Sequence, residues 1–342
     1  MSEDIKPIAI DALGGDHAPL EVVKGAAASG VPCILVGPEN VLKPILSDLK
    51  NPANIKEIVH ATETVDNDDN PVSAVRNKKS STMMTAIRLV KEGKAGGVMS
   101  AGNTGAFMMG ATMILGRLPH VTRPAAAITV PTPTGLSLLL DAGASTDCDP
   151  EDLVNFAVMG STFTTAVWGT NNPRVGILSI GEEEVKGSKV SKEAHQLLKQ
   201  SPLNFIGNVQ GSDLGSTTAD VIVTDGFTGN VALKSAEGIS SLIMSVVKEE
   251  FQATRGLEKA AVWILYPLLR RIRARLDWRE YGGGALLGVR GNVVIAHGKS
   301  KNRAIATAIH LAYDLAQTDI LNRLEDALSR FHGIAENPKK VG

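Results

Sequence analysis

Apolar runs of strand length recur along the chain, each closed by a glycine-rich or acidic turn and followed by a segment with helical spacing. That alternation predicts βαβ units with parallel strands. The clearest run is Pro7-Ile8-Ala9-Ile10, ahead of the turn Asp11-Ala12-Leu13-Gly14-Gly15-Asp16. Further strands are predicted over Cys33–Val36, Gly97–Met99, Ala126–Val130, Ser137–Leu140, Val175–Ile180, Val221–Val223 and Val293–Ala296. Runs this short can also be buried helix segments, and here length and flanking glycines favour strands. The expected class is therefore α/β, a mostly parallel central sheet flanked by helices. Ligands of such sheets bind beyond the carboxyl ends of the strands, which directs attention to the turns that follow them. The polar stretch 66–79 is expected as a surface loop. No proline- or serine-rich linker divides the chain. Residues 1–320 are expected as one large α/β domain containing a helical hairpin over 251–281, with a C-terminal helix and tail over 321–342.

Three turns have the make-up of an anion site. Ser100-Ala101-Gly102-Asn103-Thr104-Gly105 runs from a strand into a helix expected near Ala106, so several backbone N–H groups end up unpaired and aimed at one place. Asn103 and Thr104 could add side-chain hydrogen bonds, though a tight βα turn with an ordinary N-cap would look the same. Ser179 to Ser188 places Lys186 between an acidic triplet and Gly187, and Thr224 to Val231 contains Asp225, Gly229 and Asn230. Lys186 could reach a bound phosphate or form a solvated ion pair; Asp225 could be a turn former and Asn230 an N-cap. Arg76, Lys78 and Lys79 precede Ser80-Ser81-Thr82 and a helical stretch, a cationic cluster suited to a second anionic group or to plain solvation.

The stretch 257–279 differs from its surroundings. Trp263 to Tyr266 is apolar, Pro267 divides it, and Leu268, Leu269, Ile272 and Leu276 fall on one side of a helix whose remainder carries Arg270, Arg271, Arg273 and Arg275. That is the pattern of a helix lying in a membrane interface, with Trp263 suited to the headgroup zone. A packed hairpin or a dimer contact with snorkelling arginines would read alike.

Charge and motif content narrow the chemistry. Thirty-five basic against 36 acidic residues give a net charge of −1, which removes the broad basic field of a general nucleic-acid binder. The two cysteines, Cys33 and Cys148, show no metal-ligand spacing. There is no G-x-G-x-x-G, no P-loop, no G-x-S-x-G and no H-E-x-x-H. Neither cofactor nor metal is expected. Met1 to Asp11 lacks a signal-type apolar region, so a cytoplasmic location is expected. His17 and His297 lie in turns after strands.

With these segments in view, the chain resembles the PlsX family of bacterial phosphate acyltransferases of phospholipid synthesis. The likeness is carried by 8–16, 99–105, 139–143, 180–187, 204–211, 220–234 and 281–300, in order along nearly the whole chain. Ser145, where the family commonly places asparagine, and Leu13 for methionine are departures. The resemblance implies a Rossmann-like fold akin to phosphotransacetylases and to isocitrate and isopropylmalate dehydrogenases. It also implies a homodimer and a reaction in which orthophosphate attacks the thioester of a long-chain acyl group on acyl carrier protein. Acyl phosphate would then pass to a membrane glycerol-3-phosphate acyltransferase, with docking at an anionic membrane surface on the cytoplasmic side. Expected roles follow: Ser100, Gly102, Asn103, Thr104, Gly105, Lys186 and Gly187 hold phosphate; Asn230 and backbone N–H groups near Gly229 polarise the carbonyl; Asp225 orients Lys186 or Asn230. Asp11, Lys78 and Lys79 are further binding candidates, and His297 a catalytic one that stands where phosphotransacetylases carry arginine. Rival readings are a phosphotransacetylase acting on coenzyme A thioesters, a nicotinamide-dependent dehydrogenase, and a peripheral membrane scaffold.

Overall fold

The computed structural model describes residues 5–50, 52–253, 268 and 283–336. One sheet of 11 strands runs through it. In chain order the strands are β1 (Ile8–Asp11), β2 (Cys33–Gly37), β3 (Ile55–His60), β4 (Gly97–Ser100), β5 (Ala125–Pro131), β6 (Leu136–Leu140), β7 (Val175–Leu178), β8 (Phe205–Val209), β9 (Val221–Val223), β10 (Gly284–Leu287) and β11 (Val293–Ile295). The helices are α1 (Leu20–Ser29), α2 (Glu39–Asp48), α3 (Pro71–Asn77), α4 (Thr82–Lys91), α5 (Thr104–Leu115), α6 (Pro150–Trp168), α7 (Lys189–Lys199), α8 (Gly226–Ala253), α9 (Asn302–Gln317) and α10 (Ile320–Glu336). Across the sheet the order is β3-β2-β1-β4-β11-β10-β5-β6-β9-β7-β8.

Pairing within β3-β2-β1-β4-β11 and within β6-β9-β7-β8 is parallel, but the links β11–β10, β10–β5 and β5–β6 are antiparallel. Three reversals in succession leave β6, β9 and β7 running opposite to β1, β4 and β11. The two parallel halves thus present their carboxyl ends at opposite edges of one continuous sheet. Twist of roughly 20–25° per strand step accumulates between them, so the two edges are also rotated against each other.

Alternation fixes the layers. In β1, Ile8 and Ile10 face a core shared with α1 and α9, while Ala9 faces the layer formed by α4 and α5. All three side chains are fully buried, as expected for strands covered on both faces. In the second half, Leu138, Leu140, Val221 and Val223 pack with Phe156 and Phe163 of α6, and the opposite face carries a smaller cluster around Leu139 and Ile222. Leu324 and Leu328 of α10 are buried in the main core, so the C-terminal helix belongs to the same folding unit.

The stretch 66–79, expected as a loop, contains α3. Asn70 caps it by accepting from the Ser73 amide at 3.2 Å, and Pro71 occupies the first turn, where its missing N–H loses no helix bond. Of the expected hairpin 251–281, the first three residues end α8, and the rest apart from Leu268, with the membrane candidates Trp263, Leu269, Arg270, Arg271 and Ile272, lies outside the described residues. Leu268 is helical and about half exposed. No helix among the described residues is long and apolar enough to cross a membrane.

Candidate active site

Two clusters of glycine-rich turns form, one at each carboxyl edge. At the first edge, the turns after β1, β4 and β11 meet. Asp11, 2% exposed, accepts from the Ser100 hydroxyl at 2.7 Å, and the Ser100 oxygen accepts from the Gly102 amide at 3.1 Å. Burial raises the Asp11 carboxyl above the ordinary carboxylate range, and its Oδ1 has no hydrogen-bond partner. Only glycine fits at position 14, since a Cβ there would stand 2.6 Å from Asp11 Oδ2 and 2.8 Å from Ser100 Oγ. The Asp16 amide donates to the Gly298 carbonyl at 2.8 Å and ties in the turn after β11. There His297 Nδ1 accepts from the Lys299 amide at 3.1 Å.

Helix α5 begins at Thr104, two residues before the expected start. Asn103 is its N-cap, its Oδ1 accepting from the Ala106 amide at 3.0 Å. The other end of that side chain donates to the carbonyls of Asp66, Asn67 and Asp69 at 3.0–3.1 Å. Both ends of Asn103 are therefore engaged in folding the 66–69 loop onto the helix, and Ser100 is engaged with Asp11. Neither side chain is available to phosphate as expected. What α5 leaves are the first-turn amides of Thr104 and Gly105, which no intrahelical bond can satisfy.

The cationic cluster also resolves differently. Lys78 Nζ sits 2.5 Å from Asp69 Oδ2 and 3.4 Å from Asp66 Oδ2. The hydrogen bond and charge of Asp69 raise the ammonium above its usual range. Two carboxylates thus neutralise the lysine expected to face an anion, and the N-terminus of α4 is capped by the buried Ser81, whose hydroxyl accepts from the Met84 amide. Lys79 is exposed.

At the second edge, the turns after β6, β9 and β7 lie side by side in sheet order. The frame is Asp141, fully buried, whose carboxylate accepts from the amides of Ala126, Gly143, Ala144 and Ser145 at 2.6–3.0 Å. Burial pushes its pKa up, opposed by those four amide donors. The Ser145 hydroxyl donates to Pro124 and its carbonyl accepts from Gly226, so this departure from the family pattern is built into the frame. A Cβ at Gly229 would collide with the Asp141 carbonyl. Sequence reasoning passed over Asp141; its signal is a lone acid between the apolar run of β6 and a run of small residues.

Asp225 accepts from the Thr228 amide at 2.8 Å and hydroxyl at 2.7 Å. It caps α8, and this engagement replaces the expected one with Lys186 or Asn230. The Gly229 amide donates to the Asp225 carbonyl at 2.9 Å and is not free for a substrate carbonyl. The Asn230 side chain is exposed and packs beside the Gly143 backbone. Lys186 is exposed on the turn after β7, its amide bonded to the Glu183 carbonyl at 2.9 Å. Gly187 brings the chain back with a φ of +116°, over Ser179 and Ser191.

The turns expected to form one site divide between the two edges. Ser100, Gly102, Asn103, Thr104, Gly105, Asp11, Lys78 and His297 belong with the first edge; Lys186, Gly187, Asp225, Gly229 and Asn230 belong with the second.

The same α/β fold, a mostly parallel central sheet flanked by helices, occurs in the phosphotransacetylases. The backbone superposes on the EutD phosphotransacetylase from Staphylococcus aureus with a TM-score of 0.60 at 16% identity, covering 91% of this chain and 94% of that one. It superposes on a phosphotransacetylase from Streptococcus pyogenes with the same score at 17% identity and the same coverage. At that identity the likeness concerns the fold. The chain belongs to the fatty acid synthesis protein family, which it matches over residues 6–323. It is 43% identical over 327 residues to the phosphate acyltransferase of Thermoanaerobacter pseudethanolicus, covering 94% of this chain and 97% of that protein. To the phosphate acyltransferase of Dictyoglomus turgidum it is 42% identical over 335 residues, covering 94% and 98%.

Proposed function

We propose that the protein is a phosphate acyltransferase that converts a long-chain acyl thioester of acyl carrier protein and orthophosphate to acyl phosphate and free carrier. A phosphate oxygen forms the new bond to the acyl carbon, the C–S bond breaks, and the departing thiolate takes up a proton. The observation that carries the reading is kinship with phosphate acyltransferases over 94% of the chain. Both thiols argue in the same direction. Cys33 and Cys148 are buried, and burial pushes each up to about 12, far from the thiolate an acyl-enzyme would need. With phosphate as nucleophile, the protein's work is positioning and charge stabilisation.

In this reading Lys186 neutralises the phosphate and Asn230 donates to the thioester carbonyl as negative charge develops on its oxygen. The Thr104 and Gly105 amides remain as donors for an anionic oxygen at the first edge, and His297 shapes the turn beside them. A homodimer is supported by α8, whose Ile239, Leu242, Ile243 and Val246 form an exposed apolar stripe at helical spacing. The product is amphiphilic and would pass to a membrane glycerol-3-phosphate acyltransferase, with residues 257–279 resting on the anionic cytoplasmic surface. Incubation with palmitoyl-carrier thioester, with and without phosphate, tests the reaction. Acyl phosphate detected by mass only when phosphate is present supports it, and carrier release without that product contradicts it.

A further inference from the structure

The turn that carries Lys186 has no apolar anchor of its own. Glu182, Glu183, Glu184, Val185 and Lys186 are all exposed, and Ile180 just before them is 81% exposed. It is held from beneath by two polar side chains placed where apolar ones would ordinarily pack: His195 of α7, 2% exposed, and Asn208 of β8, 9% exposed. Asn208 Nδ2 donates to the carbonyls of Gly181 at 3.3 Å and Glu183 at 2.8 Å. The same Glu183 carbonyl accepts from the Lys186 amide.

With both amide hydrogens aimed at carbonyls, Asn208 Oδ1 can only accept. His195 Nδ1, 2.8 Å away, therefore carries a hydrogen and donates it. Phe205 meets the imidazole edge-on with centroids 5.0 Å apart, and Nε2 lies 3.9 Å from Glu184 Oε1, which Lys199 holds at 2.6 Å. One chain of hydrogen bonds thus runs from α7 through the edge strand β8 to the turn that ends at Lys186. A buried polar pair that is hydrogen-bonded to the chain above it rigidifies what it touches, whereas apolar replacements would strand the two carbonyls.

We infer that His195 and Asn208 are a positioning pair that fixes the 181–186 turn and with it the reach of the Lys186 ammonium. The inference deepens the proposed role of Lys186 in holding phosphate and rests on it. Two readouts separate the pair from that role: hydrogen exchange at the Lys186 amide, and steady-state kinetics with phosphate and acyl-carrier thioester varied in turn. In Asn208→Leu, which removes both hydrogen bonds to the turn carbonyls, exchange at Lys186 is expected to quicken about tenfold or more and the phosphate KM to rise about threefold to tenfold. The thioester KM stays level. His195→Phe keeps the packing on Phe205 and reads the same link if Asn208→Leu does not fold; His195→Gln, which restores a donor, recovers most of the effect. A merely structural defect would lower kcat with the active fraction and leave the phosphate KM alone. Unchanged exchange at Lys186 in both Asn208→Leu and His195→Phe overturns the positioning role outright. Quickened exchange with an unchanged phosphate KM, there and in Lys186→Ala, overturns the assignment of Lys186 and the functional role of the pair with it.

Discussion

The two carboxyl edges are built from similar sequence and end in different states. At the first, most of the polar ends that the turns supply are taken up by another part of the protein: Asp11 Oδ2 by Ser100, Asn103 by three loop carbonyls, Lys78 by Asp66 and Asp69, while the buried Asp11 Oδ1 stays without a partner. At the second, the buried groups Asp141 and Asn208 are engaged beneath, while Lys186 and Asn230 stand exposed above them. Glycine-rich turns alone do not make a reactive site. What matters is whether polar ends survive folding unengaged, and the second edge is where charged and amide side chains do.

That contrast can be broken at several depths. The largest effect is expected from Asp141→Ala, which strands four amides, those of Ala126 and Ser145 in buried residues, and should lower stability by about 4 kcal/mol or more, read from urea unfolding. Asn230→Ala should lower kcat on the order of 100-fold, the scale of a lost oxyanion donor, while the unfolding midpoint stays within about 0.5 kcal/mol. A comparable loss of stability instead would place Asn230 in the frame and blur the distinction between the edges. Asn103→Ala removes a cap and the clamp on 66–69; about 1–2 kcal/mol and faster proteolysis near Asp68 are expected, with the phosphate KM unchanged. The smallest effect concerns pH. Burial raises the Asp11 carboxyl in the folded state, so folding favours its proton and stability declines as pH rises from about 4 through the folded value. Asp11→Asn should flatten that decline, seen as urea midpoints that differ less between pH 4.5 and pH 8 than in the parent.

Much of this was legible in the sequence, for reasons that also mark the limit. Strands covered on both faces, such as β1 and β2, are continuous apolar runs and stand out. The three strands not anticipated are β3, β8 and β10. Ile55–His60 and Phe205–Val209 are the outermost strands, the first mixing exposed Lys56, Glu57 and His60 with apolar positions and the second broken by Gly207 and Asn208, and Gly284–Leu287 is short and follows glycines. The reversal of the sheet between β11 and β6 leaves no local trace, because pairing direction depends on partners far apart in the chain. For that reason His297 and Lys186 could be expected in one site when the strands that carry them run opposite ways. Side-chain roles differ where a residue had two possible partners: Asn103 and Asp225 each read as ligand or as cap or turn former, and both engage the start of a helix, while Ser100 is taken up by Asp11.

The central claim is that phosphate itself attacks the thioester, with no acyl group resting on the protein. Exchange between acyl-carrier thioester and isotope-labelled free carrier, followed by mass without any phosphate or acyl phosphate present, tests it most directly. Direct attack predicts that no label enters the thioester until phosphate is added. Label appearing in its absence would mean that the acyl chain had paused on a side chain, and the account would fail.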